Sequence, residues 1–395
     1  MLNTKYVFFL GSSGFPYGLA EVQKIILISK ALVLKGNHVT ILCRKGVHNS
    51  SDHADLEVQG NFQSIQYIYA SGEQFRNNSL IKRNFLKIKG LFNEFLILKE
   101  RCKRKQLDFA ILSTESFTAI IYYILLSKFL GFKTILNYVE YYSAIKKKRF
   151  KIGKILNDKF FDMYAPLMVD AVFPISEFII DHLKKVSPNK KYLKIPGLTE
   201  FERYLDIEKI NSEKYFLFCG AASYKEVILF IIDCFENLEN EQCFLYLVSN
   251  GDTQEMAELE DYISRTQKKD NIKLFTRLSQ IQLFTYYKNA VALLIPLRPT
   301  WQDIARFPHK FGEYLASGNP VITTNYGEVT YYFEDLKNMF IANNYEVNQF
   351  VEKMQFVIDN SEIAINVGAE GKKSALSMFD YRVKAEEINN FINSI

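Results

Sequence analysis

Short apolar runs alternate with amphipathic stretches in the first half of the chain. Apolar, β-branched and aromatic residues predict strands at 6–10, 38–43, 64–68, 109–112, 134–138 and 171–174. Helical periodicity fills the stretches between these strands, and the first such helix is predicted at 19–34, where Gly36 and Asn37 end it. Alternating strands and helices are typical of a parallel sheet with helices on both faces.

The second half repeats this pattern. Strands are predicted at 215–219, 243–248, 272–275, 291–296 and 321–324, and helices at 226–238, 253–267, 279–288 and 310–317. We therefore predict an α/β chain built from two doubly wound, Rossmann-like domains.

The domain boundaries follow from the same pattern. Residues 1–200 are predicted to form the N-terminal domain, 201–213 a linker and 214–375 the C-terminal domain. Residues 376–395 are expected to end in a helix that packs back on the N-terminal domain. Sheets of this kind bind ligands at the carboxyl ends of their strands, so we expect a ligand in an interdomain cleft.

Charge is distributed unequally between the two halves. Residues 1–200 carry 30 Lys and Arg against 16 Asp and Glu, a net charge of +14, whereas residues 201–395 carry 19 against 28. The first half is therefore expected to have an anionic partner. Five cysteines, mostly in apolar segments and without a CxxC pair, indicate buried thiols rather than disulfides or zinc ligands.

The sequence shows no segment that we expect to cross a membrane. The N-terminal run is short and ends at a glycine turn, which is typical of a first strand and not of a signal peptide. The most apolar stretch, 119–130, contains Ser127 and Lys128 and is too short to span a bilayer. We expect a cytoplasmic protein that is soluble or lies on a membrane surface.

Residues 306–324, RFPHKFGEYLASGNPVITT, form the most informative stretch. Phe311, Tyr314 and Leu315 lie at helical spacing and predict a buried helix face. Gly318 and Pro320 end this helix, and a buried strand follows. Glu313 lies beside the apolar face, where a carboxylate needs a polar partner or ligand.

These residues resemble the family 4 glycosyltransferases, which are retaining, nucleotide-sugar-dependent enzymes of the GT-B fold. Phe307, Pro308, Glu313 and the turn at 318–322 match the family's Glu-x7-Glu motif and the segment after it. The resemblance covers nearly the whole chain and implies that Glu313 binds the ribose hydroxyls of a UDP- or GDP-sugar. Ala305 stands where the family has its first acid, and Asp303 or Gln302 could substitute for it.

The stretch FLFCGAASYKEVILF resembles the family's phosphate-binding segment. Gly220 and Lys225 match the glycine and lysine that meet the donor phosphates, whereas Ala221 stands where many relatives have an arginine. A lysine and free amides at the start of a helix suit a diphosphate. Such a site could stabilise the departing nucleotide, so no metal or other cofactor is expected to be required.

Two glycine loops complete the resemblance. Gly327 and Glu328 match the family's glycine loop at the donor site, where backbone amides would face phosphate. Gly14 and Gly18 lie in the loop after the first strand, which in the family faces donor and acceptor.

Three residues are candidates for a catalytic role: Lys225, Arg306 and Glu140. Each has a plainer interpretation. Lysines at helix starts are commonly exposed. Arg306 has two equal interpretations, a surface charge and a contact to the donor phosphates. Glu140 is equally consistent with a loop carboxylate and with a group that meets the acceptor. His309 is expected to have a structural role.

The stretch from Leu80 to Lys105 has two interpretations. Ile81, Phe85, Ile88, Phe92 and Phe95 lie at helical spacing, flanked by Lys82, Arg83, Lys87 and Lys89. By default, this pattern indicates a helix that packs on the core with a solvated basic face. It also suits a helix on an anionic membrane surface, a hypothesis that a second basic cluster at 146–151 supports.

The sequence thus predicts an enzyme that transfers a hexose-type sugar from a nucleotide sugar to a glycan or a lipid-linked acceptor, such as a polyprenyl diphosphate, in surface polysaccharide biosynthesis. No nucleic-acid-binding module is recognisable, so we expect no nucleic-acid partner. The alternatives are a nucleotide-sugar epimerase or hydrolase of the same fold, and a non-catalytic nucleotide-binding partner protein.

Overall fold

The chain forms two compact units. The computed structural model describes residues 4–18, 20–50, 53–145, 152–208, 213–239 and 242–395. The first unit comprises Met1–Leu198 and Tyr381–Ile395, and the second comprises Thr199–Asp380. The basic cluster noted at 146–151 lies outside the described residues.

A sheet of eight described strands forms the centre of the first unit. These strands are β1 (Tyr6–Leu10), β2 (His38–Cys43), β3 (Gln59–Phe62), β4 (Ile65–Tyr69), β5 (Phe109–Leu112), β6 (Lys133–Tyr138), β7 (Ala171–Pro174) and β8 (Lys191–Tyr192). Their order is β3-β4-β2-β1-β5-β6-β7-β8, and β3 is antiparallel to β4 while the other pairs are parallel. The chain order reverses between β1 and β5, so the carboxyl ends of these strands define the switch point.

Helices connect the strands of the first sheet. They are α1 (Ala20–Leu34), α2 (Leu80–Lys103), α3 (Phe117–Leu130), α4 (Ile152–Met168) and α5 (Glu177–Val186). Local sequence sets several of their ends. The Ser79, Ser116 and Ser176 side chains accept from backbone N–H groups in the first turns of α2, α3 and α5, and Gly131 ends α3 in the left-handed conformation.

The second unit contains a parallel sheet of six described strands. They are β9 (Tyr215–Ala221), β10 (Phe244–Asn250), β11 (Ile272–Phe275), β12 (Ala292–Ile295), β13 (Val321–Thr324) and β14 (Phe340–Ala342), in the order β11-β10-β9-β12-β13-β14. The helices are α6 (Lys225–Glu236), α7 (Thr253–Arg265), α8 (Gln280–Asn289), α9 (Trp301–Ala305), α10 (Lys310–Ser317), α11 (Val329–Tyr332), α12 (Val347–Asp359) and α13 (Ser361–Phe379). The predicted α/β class with two parallel sheets is confirmed.

The last helix, α14 (Tyr381–Ser394), belongs to the first unit. Its residues Ala385, Ile388 and Ile392 are buried in the same core as α1. The predicted boundary at 376 lies four residues inside α13, because the apolar pattern runs on to the buried Phe379.

The segment predicted as a linker, 201–213, starts inside the second unit. Phe201 and Tyr204 are buried in a short 3-10 turn, and the Tyr204 ring lies 4.7 Å from that of Phe284. Two aromatic residues three apart fall on one side of such a turn, so this part of the segment packs on the unit rather than crossing solvent.

The helices and the cysteines bear on two of the sequence-based expectations, the membrane and the thiols. In the part of the chain that the structure describes, no helix is both long and apolar enough to cross a membrane. All five cysteines are free thiols, and Cys43, Cys234 and Cys243 are buried.

Candidate functional site

The carboxyl edge of the second sheet gathers most of the residues that the sequence singles out. Gly220 lies at the end of β9, Arg298 follows β12, and Gly327 follows β13. These three strands are neighbours and parallel, so their carboxyl ends meet at one edge. The start of α10 is held at the same edge.

The stretch at 306–324 folds as the sequence predicts. Helix α10 ends at Gly318, whose φ of 82° is left-handed, and Pro320 leads into β13. The hydroxyl of Tyr314 accepts a hydrogen bond of 2.8 Å from the backbone N–H of Cys219 in β9. This bond joins α10 to the end of β9 and thereby sets the position of Glu313.

Glu313 forms an ion pair within α10. Its Oε2 lies 2.8 Å from Lys310 Nζ, which also donates to the hydroxyl of Tyr287 at 3.0 Å. Burial works to raise the pKa of Glu313, but Lys310, together with His309 nearby, outweighs it and lowers the pKa. Glu313 is therefore an ionised acceptor, and 19% of its side chain remains exposed to a ligand.

Asp303 holds two arginines in the segment before α10. Its carboxylate is fully buried, with Oδ2 at 2.7 Å from Arg298 Nε and Oδ1 at 2.7 Å from Arg306 Nη2. The backbone N–H of Arg298 donates to Oδ2 as well, at 3.0 Å. The oxygens of Asp303, which the sequence offers as a substitute for the acid missing at the buried Ala305, therefore already accept hydrogen bonds from these two arginines.

Asp303 and Tyr224 hold the guanidinium of Arg306 in place, but its Nε–H group is left without an acceptor among the described residues. Its Nη1 donates to the Tyr224 hydroxyl at 2.7 Å, and its guanidinium lies 4.8 Å from the centre of the Tyr224 ring. Its Nε is buried and has no hydrogen-bond partner among the described residues. A buried N–H group of this kind is costly unless a ligand satisfies it.

Lys225 starts α6, as predicted, but its ammonium is engaged. Nζ lies 2.7 Å from Glu258 of α7, and both side chains are about half exposed. An exposed pair contributes little to stability, so Lys225 could exchange Glu258 for a phosphate at low cost. The cation that the sequence did not single out is Arg298, which also pairs with Glu226 at 2.8 Å. The sequence signal for Arg298 is its position in the loop that follows β12.

Phe307 lies in the core of the unit rather than in open space. Its ring lies 5.0 Å from that of Phe379 and 5.6 Å from that of Phe311. Pro308 follows it and is partly buried. These two residues shape the turn before α10, and the buried Phe307 side chain is not accessible to a nucleotide sugar.

The loop after β13 packs closely on α9. Gly327 has a φ of 60°, and a Cβ there would lie 3.1 Å from the carbonyl oxygens of Asp303 and Ile304. A side chain at this position would therefore push α9 away from the site. Glu328 is buried and precedes α11.

The first unit places its predicted residues at the carboxyl edge of its own sheet. Gly14, with a φ of 82°, lies in the loop after β1, and a Cβ on Gly18 would collide with Val22 of α1. Glu140 follows β6 and lies near Tyr142, whose pKa is raised by burial and then by the charges of Glu21 and Glu140.

Comparisons with known proteins agree with this architecture. The family model described as "Glycosyl transferases group 1" matches residues 201–374. The chain is similar in structure to sucrose-phosphate synthase from Thermosynechococcus elongatus, with 15% identity, 99% of both chains covered and a TM-score of 0.73. It is also similar to a glycosyltransferase from Rickettsia africae, with 13% identity, 100% of both chains covered and a TM-score of 0.71.

A third similar structure is that of Anabaena HepE in complex with UDP-glucose, with 13% identity, 100% of both chains covered and a TM-score of 0.69. A search of curated proteins finds no match to the sequence. The chain has the GT-B fold, which confirms the fold predicted from the sequence. It is a glycosyltransferase, and its residues 201–374 form a domain of the glycosyl transferases group 1 family.

Proposed function

We propose that this enzyme transfers a sugar from a nucleotide diphosphate sugar to a glycan or lipid-linked acceptor, with retention of anomeric configuration, in surface polysaccharide biosynthesis. The observation that carries the proposal is the carboxyl edge of the second sheet. There, an ionised carboxylate, Glu313, lies on the same segment as the buried Nε–H group of Arg306, which has no hydrogen-bond partner among the described residues, within the group 1 domain.

The donor would be held through its nucleotide end. Glu313 would accept hydrogen bonds from the ribose hydroxyls, and the amides near Gly220 and Gly327 would meet the diphosphate. The nucleotide would be UDP or GDP. The similar Anabaena structure, which holds UDP-glucose, supports UDP.

The departing diphosphate would be stabilised by fixed cations. Arg306 would donate through Nε, and Lys225 would leave Glu258 to pair with a phosphate oxygen. Glu140 would orient an acceptor hydroxyl in the first unit. This arrangement assigns no role to a metal or another cofactor.

A panel of nucleotide sugars tests the donor proposal. Calorimetry with UDP-glucose, UDP-galactose, UDP-N-acetylglucosamine and GDP-mannose should show binding of at least one donor. Glu313→Ala should weaken that binding at least tenfold, whereas Glu334→Ala, which removes an exposed carboxylate from the same unit, should leave it unchanged. Equal affinities in the two variants would exclude the ribose assignment, and no binding of any donor would count against the proposed function.

We also propose that the first unit lies on an anionic membrane surface at the cytoplasmic side. The apolar stripe of α2 is not part of the core, because Ile81 is 84% exposed, Ile88 71% and Phe92 61%. The rings of Phe95 and Phe129 lie 6.5 Å apart and join this stripe to α3, where Phe129 is 72% exposed. A contiguous apolar face of this kind with basic neighbours suits a bilayer interface.

Sedimentation with phosphatidylglycerol vesicles tests this surface. Ile81→Ser/Phe85→Ser should reduce the bound fraction at least fivefold. The matched control is Ile363→Ser/Ile365→Ser, which changes two exposed apolar residues on α13. The same sedimentation for all three proteins, with and without vesicles, would contradict the membrane proposal.

A further inference from the structure

A group of basic side chains converges at the carboxyl edge of the first sheet. Arg44 and Lys45 directly follow β2, Arg76 lies in the segment between β4 and α2, and Arg83 and Lys87 lie on α2. The sequence pattern places Arg83 and Lys87 beside the apolar stripe of α2, as flanking charges of a membrane helix.

The two loops that carry Lys45 and Arg76 are in contact. The backbone N–H of Ser71 donates to the carbonyl oxygen of Arg44 at 3.1 Å, and that of Arg76 donates to the carbonyl oxygen of His48 at 2.8 Å. A Cβ on Gly46 would collide with the backbone of Gln74. The loops therefore pack backbone against backbone, with no room for a side chain between them.

Helix α2 turns its basic residues towards these loops. Arg83, Lys87, Gly90 and Glu94 are spaced by four, three and four residues, so they lie along one face. A Cβ on Gly90 would collide with the carbonyl oxygen of Arg44, and Glu94 binds Arg44 Nη2 at 2.7 Å. This face therefore contacts the loops, while Ile81, Phe85 and Ile88 lie on the opposite face of the helix.

Among the described residues, most of this charge has no acidic partner. Glu94 neutralises Arg44, and Glu73 is bound to Lys82 at 3.0 Å. No ion pair joins Lys45, Arg76, Arg83 or Lys87 to a carboxylate in the described part of the chain. Burial lowers the pKa of Lys45, and the positive charges of Lys87, Arg76 and Arg83 lower it further.

We propose that Lys45, Arg76, Arg83 and Lys87 bind the phosphate or diphosphate group of the acceptor. These four cations, which have no acidic partner in the described part of the chain, lie on two backbone-packed loops and one helix. They repel one another, and an anion with several oxygens would relieve this repulsion. The loop that carries them also contacts Gly14 through Val47, so the site adjoins the loop after β1. The inference rests on the proposed function and adds the chemical class of the acceptor, a phosphate ester.

The test compares two double variants on one helix. Arg83→Ala/Lys87→Ala removes two converging cations, and Lys99→Ala/Lys103→Ala removes two from the last turns of α2. Calorimetry with inorganic pyrophosphate and with farnesyl diphosphate, in the presence of saturating UDP, should show binding that the first variant weakens at least tenfold and the second less than twofold. Lys45→Gln should weaken it at least threefold.

Three further comparisons distinguish a diphosphate site from binding of bulk lipid and from failure of the proposed function. Equal losses in the two double variants, or no binding of either diphosphate by the unaltered protein, would overturn the site. Loss of phosphatidylglycerol vesicle binding in Arg83→Ala/Lys87→Ala, with pyrophosphate binding intact, would assign these cations to bulk lipid and would also overturn it. UDP binding, measured separately, should be the same in all proteins. Its absence in the unaltered protein would count against the proposed function and not against this site.

Discussion

At the scale of single residues, the Glu313–Lys310 pair shows how the second unit keeps a charge at a half-buried position. Each group is stabilised by the other, and Tyr287 satisfies a further proton of the ammonium. The pKa of Lys310 is raised although burial works to lower it, because the carboxylate outweighs burial. The pair therefore stays ionised in the absence of a ligand.

Removing one partner should destabilise the protein more than removing both. Glu313→Gln leaves the Lys310 ammonium without its counter-charge and should lower the free energy of unfolding by about 1–3 kcal/mol. Glu313→Gln/Lys310→Met should recover at least half of this loss, because an apolar side chain needs no partner. Urea unfolding at pH 7 measures the free energy of unfolding of both variants. A double variant that is less stable than the single variant would contradict this account of the pair.

Lys24 should make stability depend on pH. It is buried on α1 and donates to the carbonyl oxygen of Ile195 at 3.1 Å, and burial lowers its pKa to about 7. An unfolded lysine has a pKa near 10.4, so between pH 7 and pH 10 the unfolded chain holds a proton that the folded chain has released. Its contribution to the free energy of unfolding therefore rises with pH, by up to about 1.4 kcal/mol per unit.

Urea unfolding at pH 7, 8 and 9 tests this dependence. The difference in unfolding free energy between the unaltered protein and Lys24→Met should increase with pH across this range. Lys159→Met, which changes an exposed lysine on α4, should show no such trend. Parallel pH profiles for the unaltered protein and Lys24→Met would mean that Lys24 remains charged in the folded state.

Residue positions were predictable where helix geometry governs them. The spacing of Phe311, Tyr314 and Leu315 placed Glu313 beside a buried face, and a lysine three residues earlier is within reach on any helix. The Asp303–Arg298 pair was not predictable, because it depends on the course of the loop between β12 and α9. No periodicity sets the course of such a loop.

At the scale of secondary-structure elements, α2 shows how one glycine determines the packing of a helix. Gly90 lies against the carbonyl oxygen of Arg44, which allows Glu94 to reach Arg44 and Tyr123. The sequence pattern predicted a helix in this stretch, but it did not show which face of the helix is buried. The default interpretation buried the apolar stripe, whereas Gly90, Glu94, Leu86 and Leu98 are the buried residues.

Gly90→Ala should destabilise the protein although alanine favours helices. The gain in helix propensity is about 1 kcal/mol, but the added methyl group must displace α2 from the Arg44 backbone, which typically costs about 1–3 kcal/mol. Gly153→Ala on α4, where a Cβ meets nothing, should be neutral or slightly stabilising. Thermal unfolding of both variants measures this. A higher Tm for Gly90→Ala than for the unaltered protein would contradict the contact.

Strands were predicted best where apolar runs are bounded by turn residues. The bounds of β1, β2, β5, β7, β11 and β13 agree with the sequence pattern. The antiparallel β3, the two-residue β8 and the three-residue β14 escaped prediction, because β8 and β14 are too short to show a pattern and β3 has a single large apolar residue, Phe62. Such strands form because a neighbouring strand supplies a hydrogen-bonding edge.

At the scale of the whole molecule, each unit has its own core. The core of the first unit takes Ala385, Ile388 and Ile392 from α14, and Asn37 donates to the Asn389 side chain at 2.9 Å. The core of the second unit surrounds β9 and α6. The division of the chain among these cores could be predicted only in outline, because it depends on which surface the last helix covers.

This division predicts that damage to α14 affects the first unit. Ile388→Ala removes a buried side chain from that core and should cost about 2–5 kcal/mol of its stability. Trp301, the one tryptophan of the sequence, lies in the second unit, so its fluorescence reports on that unit. In urea, Ile388→Ala should shift part of the circular dichroism transition to lower urea concentration and leave the Trp301 fluorescence transition in place.

Val383→Ala, at an exposed position of the same helix, should shift neither transition. If the Trp301 transition moves together with circular dichroism, the two units unfold as one cooperative body and α14 stabilises both.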